Sequence, residues 1–143
     1  MTVIVWDGKT LAADRQGSVG DTTVTRSKLH HFENGDVAAS FGATDFGLML
    51  MRWLEEGAFP EKWPAFQRTS DWTGLVLWHA GQILEFNQEP VGIPCEDPYM
   101  AWGSGAHYAL GALAMGATAA QAVEAASKHC ASCGRGVDTF EAP

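Results

Sequence analysis

Basic residues are scarce in this chain: 9 Lys and Arg stand against 17 Asp and Glu, a formal charge of −8 with a sequence pI near 4.9. Nucleic-acid affinity comes largely from clustered Lys and Arg, so this balance excludes a nucleic-acid partner. Also missing is any apolar run of about 20 residues, the length that a helix needs to span a bilayer. The N-terminus lacks a basic stretch leading into an apolar segment and a cleavage site. A soluble, cytoplasmic protein with no membrane partner is therefore expected. Cysteine is sparse and odd in number: Cys95, Cys130 and Cys133 do not make a disulfide framework, and without a secretion signal reduced thiols are expected. What is present is a hydrophobic fraction of 46% in 143 residues, enough for one domain, 1–143, with a substantial core.

Val3 to Trp6 reads as a buried strand, Asp7-Gly8 as a two-residue hairpin turn, and Lys9 to Ala13 as the returning strand. Gly17, Gly20 and Asp21 mark a loop, and the β-branched run Thr22 to Thr25 and the apolar run Val37 to Phe41 are further strands. From Thr44 the period changes: Phe46, Met49, Leu50, Trp53 and Leu54 recur at helical spacing, with Gly57 placed to end the helix. Pro60 and Pro64 break regular structure, and Trp63, Phe66 and Trp72 anchor an irregular connection. Gly74 to His79 and Gln82 to Phe86 flank Ala80-Gly81 as a second hairpin, with Pro90 to Pro98 a loop. Gly103-Ser104-Gly105 leads into a small-residue helix ending near Gly116, Thr118 with Gln121 forms a capping box opening another, and Gly136 to Phe140 is a last strand. The order of elements predicts an α+β fold of two sheets with helices on their outer faces.

Thr2 follows Met1 directly. With Met1 removed, it carries a hydroxyl and a free α-amine that titrates near pH 8, a minimal nucleophile and general base in one residue. The plain alternative is that Thr2 only starts an edge strand. Asp14 with Lys28 is either a structural ion pair or part of a site, and Ser104 either caps the following helix or takes part in chemistry. His129-Cys130-x-x-Cys133 permits zinc or redox chemistry, but only a scattered Cys95 or His79 is available to complete a zinc set. The tryptophans Trp53, Trp63, Trp72, Trp78 and Trp102 are expected in the core or at subunit interfaces, and His107 is expected on an exposed first helical turn.

Thr2-Val3-Ile4-Val5, Leu11-Ala12-Ala13-Asp14-Arg15-Gln16, Ser27-Lys28 and Gly103-Ser104-Gly105-Ala106-His107-Tyr108-Ala109 occur in this order along the chain. In that order and spacing the sequence resembles the proteasome β-subunit and HslV peptidase family of N-terminal-nucleophile (Ntn) hydrolases over nearly its whole length. The resemblance implies a four-layer αββα sandwich, assembled in homo-oligomeric rings, that acts on peptides or unfolded protein and is fed by an ATPase unfoldase. It makes Thr2 the nucleophile, Asp14 and Lys28 the paired charges beside it, Ser104 a partner of the α-amine, and the backbone N–H of Gly42 an oxyanion donor. It also implies that the region of Cys130 to Cys133 can lend backbone carbonyls to a structural monovalent cation, with no other cofactor or metal. The chain departs from the family in Pro60 to Asp71, too short and proline-rich for the additional helix of usual members, so one helix is expected to be shortened or missing. The first hairpin is also shorter than in HslV. An inactive, ring-forming scaffold with the same fold is the alternative reading.

Overall fold

A computed structural model describes residues 2–64 and 73–143 of the chain. Met1, Phe66 and Trp72 lie outside the described residues, as does most of the connection in which a helix is expected to be missing. The described part of that connection holds one 3₁₀ turn, Pro60–Lys62. By contact density the chain divides into two units, Met1–Leu29 with Glu96–Pro143, and His30–Cys95.

The first unit is built on an antiparallel sheet. Strands β1 (Ile4–Trp6) and β2 (Thr10–Asp14) form the expected hairpin. Strand β3 (Gln16–Val19) and strand β4 (Thr22–Thr25) form a second, two-stranded ribbon that turns at Gly20 and Asp21. The glycines of this stretch suggested a loop over its first half. The ladder closes regardless, because Gly17 pairs with Val24 at an open ribbon where no side chain is required for packing.

Strand β5 (Leu29–His31), which was not foreseen, and β6 (Val37–Phe41) belong to the second unit's sheet. Helix α1 (Thr44–Glu55) buries Leu50, Met51 and Trp53 against that sheet, as its apolar spacing requires. Strands β7 (Gly74–His79) and β8 (Gln82–Phe86) form the predicted hairpin, with both turn residues in the left-handed region, Ala80 at φ 48° and Gly81 at φ 83°. A two-residue strand β9 (Ile93–Pro94) sits inside the segment expected to be loop and completes the order β5-β6-β7-β8-β9.

Strand β10 (Met100–Trp102) returns the chain to the first unit, where it pairs with β1. Helices α2 (Ala106–Ala114) and α3 (Ala119–His129) follow, and β11 (Val137–Glu141) pairs with β2, giving the sheet order β10-β1-β2-β11. The capping box at Thr118 and Gln121 forms as read. A third acceptor joins it: Asp7, in the β1–β2 turn, takes the Ala119 N–H at 2.8 Å, so the first hairpin fixes where α3 begins. The core between α2, α3 and the sheet consists of Val3, Val5, Ala12, Ala101, Ala109, Ala119, Ala122, Val123 and Ala126 around Leu113 and Cys133. Small side chains let helix and strand backbones approach closely, and this closeness assembles the site.

Candidate active site

Thr2 lies just ahead of β1 and is 3% exposed. Its backbone is gripped on both sides by the Gly-Ser-Gly segment between β10 and α2. The Thr2 N–H donates to Ser104 Oγ at 3.2 Å, and the Thr2 carbonyl accepts from Ser104 Oγ at 3.3 Å and from the Gly105 N–H at 3.2 Å. Gly103 has φ 94°, and a Cβ there would collide with the Thr2 carbonyl, so no other residue type fits this close approach. A Cβ at Gly105 would stand 2.9 Å from both Cys133 Sγ and Val3 Cβ. The motif is thus a backbone clamp on residue 2. Ser104 does not cap α2: the N-cap position is Gly105 and no side chain caps it. The serine hydroxyl is spent on Thr2 instead.

Asp14, at the end of β2, is fully buried, and a buried carboxylate is tolerable only when its lone pairs are filled. All four are. Oδ1 accepts the Val3 N–H at 3.0 Å and Lys28 Nζ at 2.7 Å, and Oδ2 accepts the Gln16 and Gly134 N–H groups at 3.1 Å each. The Lys28 side chain is 11% exposed, so the pair is shielded from water on both sides. The Thr2–Val3 peptide is therefore held at both nitrogens, the Thr2 N–H by Ser104 and the Val3 N–H by the Lys28-paired Asp14. The sequence pointed to the side chains but not to the three backbone donors that hold Asp14. Gln16 and Gly134 become donors only because β3 starts and the loop after α3 turns where they do, a tertiary outcome without a local signature.

Two cysteines border this network. Cys130 Sγ lies 4.0 Å from Ser104 Oγ as a donor, so the hydroxyl uses its full capacity, accepting from Thr2 and Cys130 and donating to the Thr2 carbonyl. Partial burial raises the Cys130 thiol pKa, but hydrogen bonding with the Ser132 backbone and with the Cys133, Ser104 and Ser132 side chains outweighs it and leaves it below the usual 9.0. Cys133 is 3% exposed, and burial foremost pushes its thiol up to about 12.

The loop after α3 was a candidate for lending carbonyls to a cation. The carbonyl of Cys130 accepts from the Cys133 N–H, that of Ala131 from Gln16 Nε2, and that of Gly134 from the Arg15 N–H. Each of these carbonyls accepts one hydrogen bond within the protein and keeps a second lone pair. Among the described residues no group of three or more His, Cys, Asp or Glu is placed to hold a metal ion, and no helix is long and apolar enough to cross a membrane.

Gly42 belongs to the other unit. It follows β6 with φ 92°, and a Cβ there would collide with Thr73, so the turn into α1 requires glycine. Of the expected core tryptophans, Trp53 and Trp102 are buried, Trp63 and Trp78 are half-buried, and His107 is exposed as expected.

No protein-family model and no curated protein matches the sequence. Solved structures do. HslV from Trypanosoma brucei superposes with a TM-score of 0.72 at 23% identity, covering 97% of each chain. The Thiobacillus denitrificans BPH structure in complex with epoxomicin gives 0.69 at 18% identity over 99% of each chain. A Gly-1 mutant of Anbu from a Hyphomicrobium species gives 0.75 at 14% identity, covering 99% of this chain and 82% of that one. The chain shares the fold of these HslV, BPH and Anbu structures.

Proposed function

We propose that this chain is an N-terminal threonine peptidase or amide hydrolase in which removal of Met1 frees Thr2 to attack a peptide carbonyl. The observation that carries the reading is the pair of holds on the Thr2–Val3 peptide, Ser104 on the Thr2 N–H and the Lys28-paired Asp14 on the Val3 N–H. In support, the Thr2 nitrogen donates to the Ser104 hydroxyl, and Lys28 pairs with the carboxylate that accepts the next residue's N–H. A nearby cation favours the neutral, proton-accepting form of an amine. Thr2 Oγ then attacks the carbonyl while its proton passes to the amine, with Ser104 as the hydrogen-bond partner of that nitrogen. The Gly42 N–H is the donor assigned to the developing oxyanion. Collapse expels the leaving amine, which takes the proton, and water hydrolyses the resulting ester to regenerate Thr2. Substrates are peptides or unfolded protein, and the working form is a cytoplasmic homo-oligomeric ring served by an ATPase unfoldase.

A second reading, an inactive ring-forming scaffold of the same fold, is favoured by one observation: Thr2 is 3% exposed. Two measurements separate them. The intact mass of native protein should show loss of one methionine, and Thr2→Ala should lower hydrolysis of unfolded protein by about 10³-fold or more. Retention of Met1 in native material, or a variant as active as the parent, overturns the peptidase reading.

A further inference from the structure

We propose that Cys130 and Cys133 are an oxidant-reactive thiol pair coupled to Ser104, in which hydrogen peroxide converts Cys130 to a sulfenic acid and Cys133 closes it to a disulfide. The geometry is that of a reverse turn at the end of α3. The Cys133 N–H donates to the Cys130 carbonyl at 3.1 Å, an i to i+3 bond. Such turns keep their end Cα atoms within about 7 Å, and disulfides span Cα separations of about 4.4–6.8 Å. Each thiol also shifts the titration of the other. Both are free, so the pair is poised rather than formed. Exposure divides their roles: Cys130 is half-buried and within reach of a small oxidant, whereas Cys133 is 3% exposed.

The steps balance. The Cys130 sulfur attacks one peroxide oxygen, the O–O bond breaks, and the leaving hydroxide takes up the thiol proton as water. The Cys133 sulfur then attacks the Cys130 sulfur, the S–O bond breaks, and the hydroxyl departs with the Cys133 proton as a second water. Two thiols lose two electrons and two protons, and one peroxide becomes two waters. A small dithiol reductant reverses the change by thiol–disulfide exchange.

The change is felt at Ser104. The Cys130 S–H donates to the Ser104 hydroxyl at 4.0 Å, one of the two hydrogen bonds that this oxygen accepts, the other coming from Thr2. A disulfide has no S–H, so oxidation strips Ser104 of a partner and draws the sulfur toward Cys133. That oxidation then slows hydrolysis is a consequence that rests on the peptidase reading. The thiol chemistry stands without it.

The test uses the whole protein, treated with hydrogen peroxide, alkylated with iodoacetamide and mapped by peptide mass spectrometry. Cys130 and Cys133 should lose alkylation together and appear as one cross-linked peptide, while Cys95 remains alkylatable. In Cys133→Ser, Cys130 should instead be trapped as a sulfenic acid by a cyclic 1,3-dione, and in Cys130→Ser, Cys133 should stay unmodified. Independent oxidation of all three cysteines, or no cross-linked peptide in the parent protein, overturns the pair. In parallel, oxidised protein should hydrolyse unfolded protein at least several-fold more slowly than reduced protein and recover with dithiothreitol. Equal rates in both states overturn the coupling to Ser104. Inactivity in both states overturns the peptidase reading, and the peptide map then decides the thiol pair by itself.

Discussion

The two units solve the problem of burial in opposite ways. The second fills its core with volume: Leu50, Met51, Trp53, Leu75, Leu77 and Phe86 pack together, with Trp53 edge-on to Trp63 and Phe86 at centroid separations of 4.7 and 5.8 Å. The first fills its core with alanine and valine, brings backbones close, and then buries a full charge among them, Asp14 at 0% exposure. Close backbones present many N–H groups to a small space, and three of them terminate on Asp14. A core of small residues can therefore hold an ion that a core of large ones would have to exclude. What stabilises the second unit is apolar area, whereas part of the first unit's stability rests on satisfied polar groups that function can draw on.

The strongest way to break that contrast is to remove the charge. Asp14→Ala takes the buried carboxylate from Lys28 and from the Val3, Gln16 and Gly134 N–H groups, and loss of one partner from a buried pair costs about 3–5 kcal/mol. Denaturant unfolding should show a loss of that size. Asp14→Ala combined with Lys28→Met should recover part of it, since the cation that lost its buried carboxylate is gone. A double variant no more stable than Asp14→Ala would mean that the cost lies in the backbone donors and not in the ion pair.

How far the sequence discloses this arrangement differs between its levels. Hairpins at Asp7-Gly8 and Ala80-Gly81, helix α1 and the Thr118 capping box are legible because turn chemistry, apolar period and caps are local. Strands β3, β5 and β9 escape because their pairing comes from partners elsewhere and their residues, such as Gly17 and Pro94, speak against strand on their own. Asp14, Lys28 and Ser104 are visible as a pattern of residue types, and their connection into one network needed the fold. Ser104 is the instructive case: a serine before a helix reads as a cap, but the helix begins a residue later and the hydroxyl turns to Thr2.

In the second unit the matching experiment removes volume. Leu50 is 1% exposed in the aromatic and aliphatic cluster beneath α1, and its truncation to alanine leaves a cavity that rigid neighbours such as Trp53 cannot fill. Leu50→Ala should cost about 3 kcal/mol, within the usual range for buried leucine. It should not disturb the thiol pair or the Asp14 network. A loss under about 1 kcal/mol would mean that this core relaxes readily and is not held by packed volume.

The smallest effect sharpens the comparison from the other side, by adding volume where backbones must stay close. Ala126 is fully buried on α3, and its Cβ would lie 3.1 Å from a Cβ placed on Gly105, which measures how little room separates α3 from the segment clamping Thr2. Two more methyl groups at this position have to push α3 away from that segment, and overpacking of this kind costs about 1–3 kcal/mol. Ala126→Val should therefore destabilise less than Leu50→Ala and yet do more damage to function, because the displacement falls on the loop that carries Ser104 and Gly105. Unfolding measured beside hydrolysis checks both halves. A variant that loses stability in that range and keeps its full rate would show that the clamp tolerates movement, and would separate the close packing of the first unit from the chemistry assigned to it.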